Sequence, residues 1–190
     1  MKISVIGAGA MGSLYGGKLA QAGNEVVLFD INQTHVDAIN RSGLEIEELG
    51  DKDKSTISLK ASSQEEDVKG SEVLVFFVKS TATRRAAEQF CNILDNNTLA
   101  VTLQNGVGNE EILRSFFGAD STAAGVTSQG ATYISPGKIR HAGKGPTHLC
   151  MSNKKNMKLR PFVDELNKAG FETHIDDNIE DLIWSKLVVN

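Results

Sequence analysis

Ile3-Ser4-Val5-Ile6-Gly7-Ala8-Gly9-Ala10-Met11-Gly12 opens the chain, and Val26-Val27-Leu28-Phe29-Asp30 closes the segment that follows. An apolar run, a Gly-x-Gly-x-x-Gly turn, a helical stretch and a second apolar run ending in an acid form the order of a dinucleotide-binding βαβ unit. Each glycine has its own task. Gly7 allows the tight turn, Gly9 lets backbone approach a pyrophosphate with no side chain in the way, and Gly12 lets the helix lie close to the strand. The helix that starts here faces the phosphates with unpaired N–H groups and the positive end of its dipole, so the whole turn, Ala8, Ala10 and Met11 included, is expected to hold the cofactor. Asp30, eighteen positions after Gly12, is placed to accept hydrogen bonds from ribose hydroxyls.

Beyond this unit the chain alternates strand and helix. His35 to Asn40 reads as a short helix closed by Ser42-Gly43, and residues 44 to 60 read as a polar strand pair with a turn at Gly50 to Lys54. Val73 to Val78 is a continuous apolar run, as expected of a parallel strand covered on both faces. An amphipathic helix from Thr81 to Leu94 follows, then a break at Asp95-Asn96-Asn97 and a buried strand from Thr98 to Leu103. The pattern specifies an α/β fold with a doubly wound, Rossmann-type sheet and ligand at the carboxyl ends of its strands. Lys79-Ser80 and Gln104-Asn105-Gly106-Val107-Gly108 fall at two such ends. Residues 121 to 151, with turns at Ser135-Pro136-Gly137 and Gly143 to Pro146, read as antiparallel additions to that sheet. A helix over 156–169, ended by Gly170, and a strand from Phe171 to Ile175 complete the pattern.

Composition narrows the class. Lys plus Arg total 20 against 24 Asp plus Glu, a formal charge of −4 with 40% hydrophobic residues, which describes a soluble globular protein and offers no basic field for nucleic acid. Lys154, Lys155, Lys158 and Arg160 form the densest positive stretch and read as a solvated face. Cys91 and Cys150 lie far apart with no metal-ligand spacing, so thiols in a reducing compartment are expected, with neither zinc nor disulfides. The chain goes from Met1-Lys2 directly into a strand and has no apolar run long enough to span a membrane; a cytoplasmic location is expected. His35, His141, His148 and His174 read as structural residues on helix or strand surfaces.

Asn178 can cap a final helix over 179–190 whose apolar residues cover every face. Lys186 is charged within that apolar run, and Asn190 lies one turn further along the same face. A lysine with no polar face to escape to needs a partner or a task. Such a helix needs covering, by a further domain or by a second chain in a homo-oligomer. Residues 1–177 are therefore expected to form the dinucleotide-binding domain, and 178–190 the start of a helical substrate and dimerisation domain whose remainder lies beyond this sequence.

Gly-Ala-Gly-Ala-Met-Gly at 7–12, Gln-Asn-Gly-Val-Gly at 104–108 and Trp-Ser-Lys-Leu-Val-Val-Asn at 184–190, in this order and spacing, resemble the ketopantoate reductase (2-dehydropantoate 2-reductase) family. The resemblance implies reduction of a small 2-keto acid, 2-dehydropantoate to (R)-pantoate in pantothenate biosynthesis, with a nicotinamide cofactor. It implies Lys186 as the catalytic lysine, Asn105 as the asparagine of the cofactor-side loop, Asn190 as a substrate contact and Lys79 as a lysine near the adenosine phosphate. These roles agree with the chemistry. Hydride arriving at a keto carbon leaves negative charge on oxygen, which a protonated lysine stabilises and then protonates. The Asn105 amide can bond the carbonyl or orient the lysine, while Gly106 and Gly108 let the loop come close to the nicotinamide.

One position departs from the family pattern. NADPH is the usual cofactor of the family, held by a basic residue just past the second strand, whereas this sequence has Asp30, Ile31 and Asn32 there. A carboxylate repels a 2′-phosphate, which tilts the expectation toward NADH. Two rival readings are a 2-hydroxyacid dehydrogenase of different substrate and a non-catalytic dinucleotide-binding or sensor module. Lys186 and Asn190 argue against the second, since a pure binder has no need of a lysine in an apolar helix.

Overall fold

The computed structural model describes residues 1–48, 50, 54–92 and 98–177. In chain order its elements are β1 (Lys2–Ile6), α1 (Ala10–Gln21), β2 (Glu25–Phe29), α2 (Gln33–Ser42), β3 (Leu44–Glu47), β4 (Lys54–Ile57), β5 (Lys60–Ser62) and β6 (Val73–Phe76). There follow α3 (Thr83–Cys91), β7 (Leu99–Thr102), α4 (Asn109–Phe117), β8 (Thr122–Thr127), β9 (Gly130–Ser135), β10 (Lys138–Gly143), β11 (Thr147–Met151), α5 (Arg160–Lys168) and β12 (Thr173–Ile175). The expected break at 95–97 and the final helix lie outside the described residues.

Eight strands form the main sheet in the order β12-β11-β8-β7-β6-β1-β2-β5. From β8 to β5 all neighbours pair in parallel. Alternation along each strand decides which layer a side chain joins. Ile3 and Val5 of β1 join Val73 and Val75 of β6 and Leu99 and Val101 of β7 in the core shared with α1 and α5. On the opposite face Ile6, Leu74, Phe76 and Ala100 pack with Ala87 and Phe90 of α3 and Leu113 of α4. Helices therefore cover both faces, and the strand order reverses between β1 and β6, the switch point where such sheets bind ligands.

Two expectations about 121–151 need correction. β8 is parallel to β7, and only β11 runs antiparallel to it. β9 and β10 leave the main sheet altogether and form a second, four-stranded sheet with the pair expected over 44–60, in the order β4-β3-β10-β9. Charge complements that pairing: Lys138 and Arg140 of β10 stand beside Glu45 and Glu47 of the parallel β3 and form ion pairs with them at 3.2 and 2.8 Å. The other face of this sheet is apolar, with Leu44, Ile46 and Ile139 fully buried.

That apolar face rests on α1, which is thus clamped between two sheets. Gly16 and Gly17 make the clamp fit. A Cβ on Gly16 would lie 2.4 Å from Leu28 of the main sheet, and one on Gly17 would lie 2.8 Å from Ile46 of the second sheet. Among the described residues no helix is long and apolar enough to cross a membrane.

Candidate functional site

The glycine turn sits at the carboxyl end of β1. Gly7 has φ of +98°, a conformation that L side chains rarely adopt, and a Cβ there would lie 2.7 Å from the Val78 nitrogen. A Cβ on Gly9, by contrast, would meet nothing within 4 Å. The turn is closed on its protein side and open at Gly9, the position where a pyrophosphate would approach. α1 starts immediately afterwards with Gly9 as its N-cap and no side-chain capping bond.

Asp30 terminates β2 beside this turn. Its Oδ2 accepts the Ala8 N–H at 2.7 Å and its Oδ1 accepts the Asn32 N–H at 2.9 Å. The carboxylate therefore shapes the turn as well as facing solvent. Each of its oxygens keeps a second lone pair, which suffices for the ribose hydroxyls expected there. Ile31, next in sequence, is 88% exposed.

Opposite the turn, the ends of β6 and β7 supply the other expected residues. Met11, Lys79 and Asn105 line one cleft of about 490 Å³, together with Thr127 and Gln129 from the end of β8. Gly106 and Gly108, at φ of +92° and +89°, line a second cleft of about 300 Å³ on the far side of the same loop, beside Glu110 and Glu111. The loop from 104 to 108 is a partition between the two. Lys186 and Asn190 lie outside the described residues.

What holds that partition in place was not anticipated from sequence. The Gln104 side chain donates to the Val78 carbonyl at 2.6 Å and to the Thr83 hydroxyl at 2.9 Å, and accepts from Thr102 at 2.9 Å. Thr83 in turn donates to Asn109 Oδ1 at 2.9 Å, and Asn109 Nδ2 donates to the Asn105 carbonyl at 3.3 Å. Thr83 and Asn109 are buried, so this network fixes the loop's backbone from below. Single polar residues at element ends carry no periodic signal by which they could have been found.

Two of the four histidines differ from the expected surface placement. His35 and His141 are buried, at 1% and 4% exposure. His141 lies between Glu48 and Gln129, with Nε2 2.8 Å from Gln129 Oε1, so it braces a residue that lines the larger cleft. Burial holds the His35 imidazole below its ordinary pKa, against the pull of the Asp30 charge and of the Ala8 carbonyl. Burial also raises the Tyr133 phenol, with Asp30 adding to the effect. His148 is half-buried against Asp176 at 2.6 Å, and His174 is exposed. In the basic stretch, burial lowers the pKa of Lys158, which donates to Ser121 at 2.9 Å; the solvated-face reading does not hold for that residue.

Sheet order, switch point and glycine turn define a Rossmann-type protein. Residues 3–154 match the ketopantoate reductase PanE/ApbA family. The chain belongs to that family. It is 37% identical over its whole length to a 2-dehydropantoate 2-reductase of Pyrococcus abyssi and 35% identical to one of Pyrococcus horikoshii, covering 61% of each. Among solved structures, D-mandelate dehydrogenase with NADH and anilino(oxo)acetate superposes with a TM-score of 0.91 at 29% identity. A PanE/ApbA family ketopantoate reductase from Ralstonia eutropha superposes at 0.89 and 34%. In both superpositions all of this chain and 61% of the other are covered. The chain thus spans about three-fifths of the length of the relatives it matches.

Proposed function

We propose that residues 1–177 form the dinucleotide-binding domain of a nicotinamide-dependent reductase of small 2-keto acids, with 2-dehydropantoate, reduced to (R)-pantoate, as the leading substrate. The observation that carries the reading is the glycine turn, walled by protein at Gly7 and Gly12 and open at Gly9. The residues present fit a dinucleotide: Gly9 and the start of α1 for the pyrophosphate, Asp30 for the ribose, and the cleft of Met11, Lys79 and Asn105 for the nicotinamide half. Bound in reduced form, the nicotinamide supplies a hydride. The chain's own residues handle the oxygen of the substrate. Lys186 gives its proton to the carbonyl oxygen as negative charge develops there, Asn105 orients that carbonyl or the lysine, and Asn190 binds the substrate. Support for these three roles comes from the matching motifs and from the position of Asn105 at a strand end.

A second reading, reduction of a different 2-keto acid such as an aryl-substituted one, is favoured by the close superposition on D-mandelate dehydrogenase. Oxidation of NADH and NADPH by the full-length gene product, followed against 2-dehydropantoate, benzoylformate and pyruvate, separates the two. Preference for 2-dehydropantoate supports the first reading and preference for benzoylformate the second. Cofactor binding without turnover on any keto acid would leave a binding module.

A further inference from the structure

His35 lies near the start of α2, and its ring is wired into the glycine turn. The Gly137 N–H, in the β9–β10 turn, donates to His35 Nδ1 at 3.0 Å. Nδ1 therefore carries no proton, and the ring hydrogen sits on Nε2, 3.2 Å from Ser13 Oγ. Ser13 has one proton and gives it to the Ala8 carbonyl at 2.8 Å. The chain of bonds has one direction throughout, from Gly137 through His35 and Ser13 to Ala8. Ser13 is wholly buried, and among the described residues the other group on Nδ1 is the Tyr133 hydroxyl, at 3.4 Å.

Both polar groups of Ala8 are thereby held, the carbonyl by Ser13 and the N–H by Asp30. A trans peptide plane sets its C=O and the following N–H on opposite sides. With the Ala8 carbonyl drawn inward, the Gly9 N–H is turned outward, at the residue whose Cβ direction is open space. That N–H is among those a phosphate would meet at the start of α1.

We propose that His35 is a positioning residue for phosphate binding: through Ser13 it fixes the orientation of the Ala8–Gly9 peptide, and through Gly137 it anchors that turn to the second sheet. The proposal rests on the dinucleotide reading of the glycine turn.

A histidine that merely satisfied the Gly137 N–H would stabilise the hairpin and leave affinity unchanged apart from folding. Two substitutions separate its two ends. The amide nitrogen of His35→Gln reaches about as far as Nε2 and can still donate to Ser13. The amide oxygen of His35→Asn reaches about as far as Nδ1 and can still accept from Gly137, but the side chain is too short for Ser13. Ser13→Ala cuts the relay with His35 in place.

The measurements are NADH and NADPH titration and thermal melting of the 190-residue chain and each variant. His35→Asn and Ser13→Ala are expected to weaken binding by about tenfold or more, close to 1.4 kcal/mol, while His35→Gln stays within about threefold of the parent. Parent-like affinity in both His35→Asn and Ser13→Ala overturns the proposal. So do equal losses in the two His35 variants that follow their melting temperatures. If the parent binds neither NADH nor NADPH, the dinucleotide reading falls and this proposal with it.

Discussion

Gly12 faces Gly7 so closely that a Cβ on the first would lie 1.9 Å from the carbonyl oxygen of the second. No rotamer relieves a contact between a Cβ and backbone. Gly12→Ala should therefore cost about 3 kcal/mol in overpacking, a fall in melting temperature on the order of 6–12 °C for a chain of this size. Gly9→Ala, whose Cβ meets nothing within 4 Å, should melt within about 2 °C of the parent while losing dinucleotide affinity, because its methyl group occupies the approach path. Melting curves and NADH titration of the two variants check the contrast.

Cofactor preference follows from Asp30. With both oxygens committed on one side to Ala8 and Asn32, the carboxylate presents negative charge to a ribose 2′ position. NADH should bind at least as well as NADPH in parallel titrations. Asp30→Asn should shift the ratio toward NADPH by about tenfold. A parent that binds NADPH more than about tenfold tighter than NADH contradicts this use of Asp30.

His35 sets a pH window for stability. The groups facing it are the Asp30 carboxylate, the Tyr133 phenol, Ser13, the Ala8 carbonyl and the Gly137 N–H. Burial lowers its folded pKa below the ordinary 6.5. Between those two values the unfolded chain binds more protons than the folded one, so stability falls as pH drops below about 6.5. Hydrogen bonds from Lys54 and Arg140 hold Glu47 below 4.5, and those from Lys168 and Asn24 do the same for Glu165, so their contributions disappear only at lower pH. Melting temperature should therefore decline in two steps as pH is lowered, and His35→Asn should lack the first.

Gln104 supports the partition between the clefts. Gln104→Ala leaves the Val78 carbonyl and the buried Thr83 and Thr102 hydroxyls short of a partner, which should cost about 1–3 kcal/mol. Hydrogen exchange should accelerate at residues 105–109 more than in β6 or β7. Equal protection in parent and variant would mean that the loop holds its shape without Gln104.

Lys186→Ala, made in a protein that includes the helical substrate domain expected from residue 178 onward, tests the proposed acid. Turnover should fall by roughly 10² to 10⁴, or about 2.7–5.5 kcal/mol of barrier, with NADH affinity unchanged. Near-normal turnover would return Lys186 to an ordinary helix residue.

The main sheet was legible because its determinants are local. Val73 to Val78 is apolar without interruption, Ile3 to Ile6 and Thr98 to Leu103 are broken only by Ser4, Thr98 and Thr102, and a glycine turn or helical pattern follows each. The second sheet was not, because Glu45 and Lys138 reveal their complementarity only once their strands lie side by side. Gly16-Gly17 carried an overlooked clue: two adjacent glycines in a helix imply close packing on two sides. The burial of His35 and His141 was missed for a related reason. His35 occupies a polar-looking position in a short helix, and nothing local announces that Ser13 and Gly137 converge on it. The ends of β1, β6 and β7 were correctly expected at one crevice, since topology alone brings Met11, Lys79 and Asn105 together.

The clamp around α1 also constrains the order of folding. Arg140 and Glu47 are 93 residues apart in sequence, and the β10–β3 pairing they join closes that long loop. Closing it costs loop entropy that the main sheet lowers once formed, so β10 is expected to dock after β1, β2, β6 and β7 have drawn its ends together. During synthesis, the β3–β4 hairpin emerges long before its partner and waits with β3 unpaired along one edge. Throughout that interval the outer side of α1, at Gly17, lacks its full cover. The ribosome thus releases the glycine turn well before the second sheet that will steady it is complete.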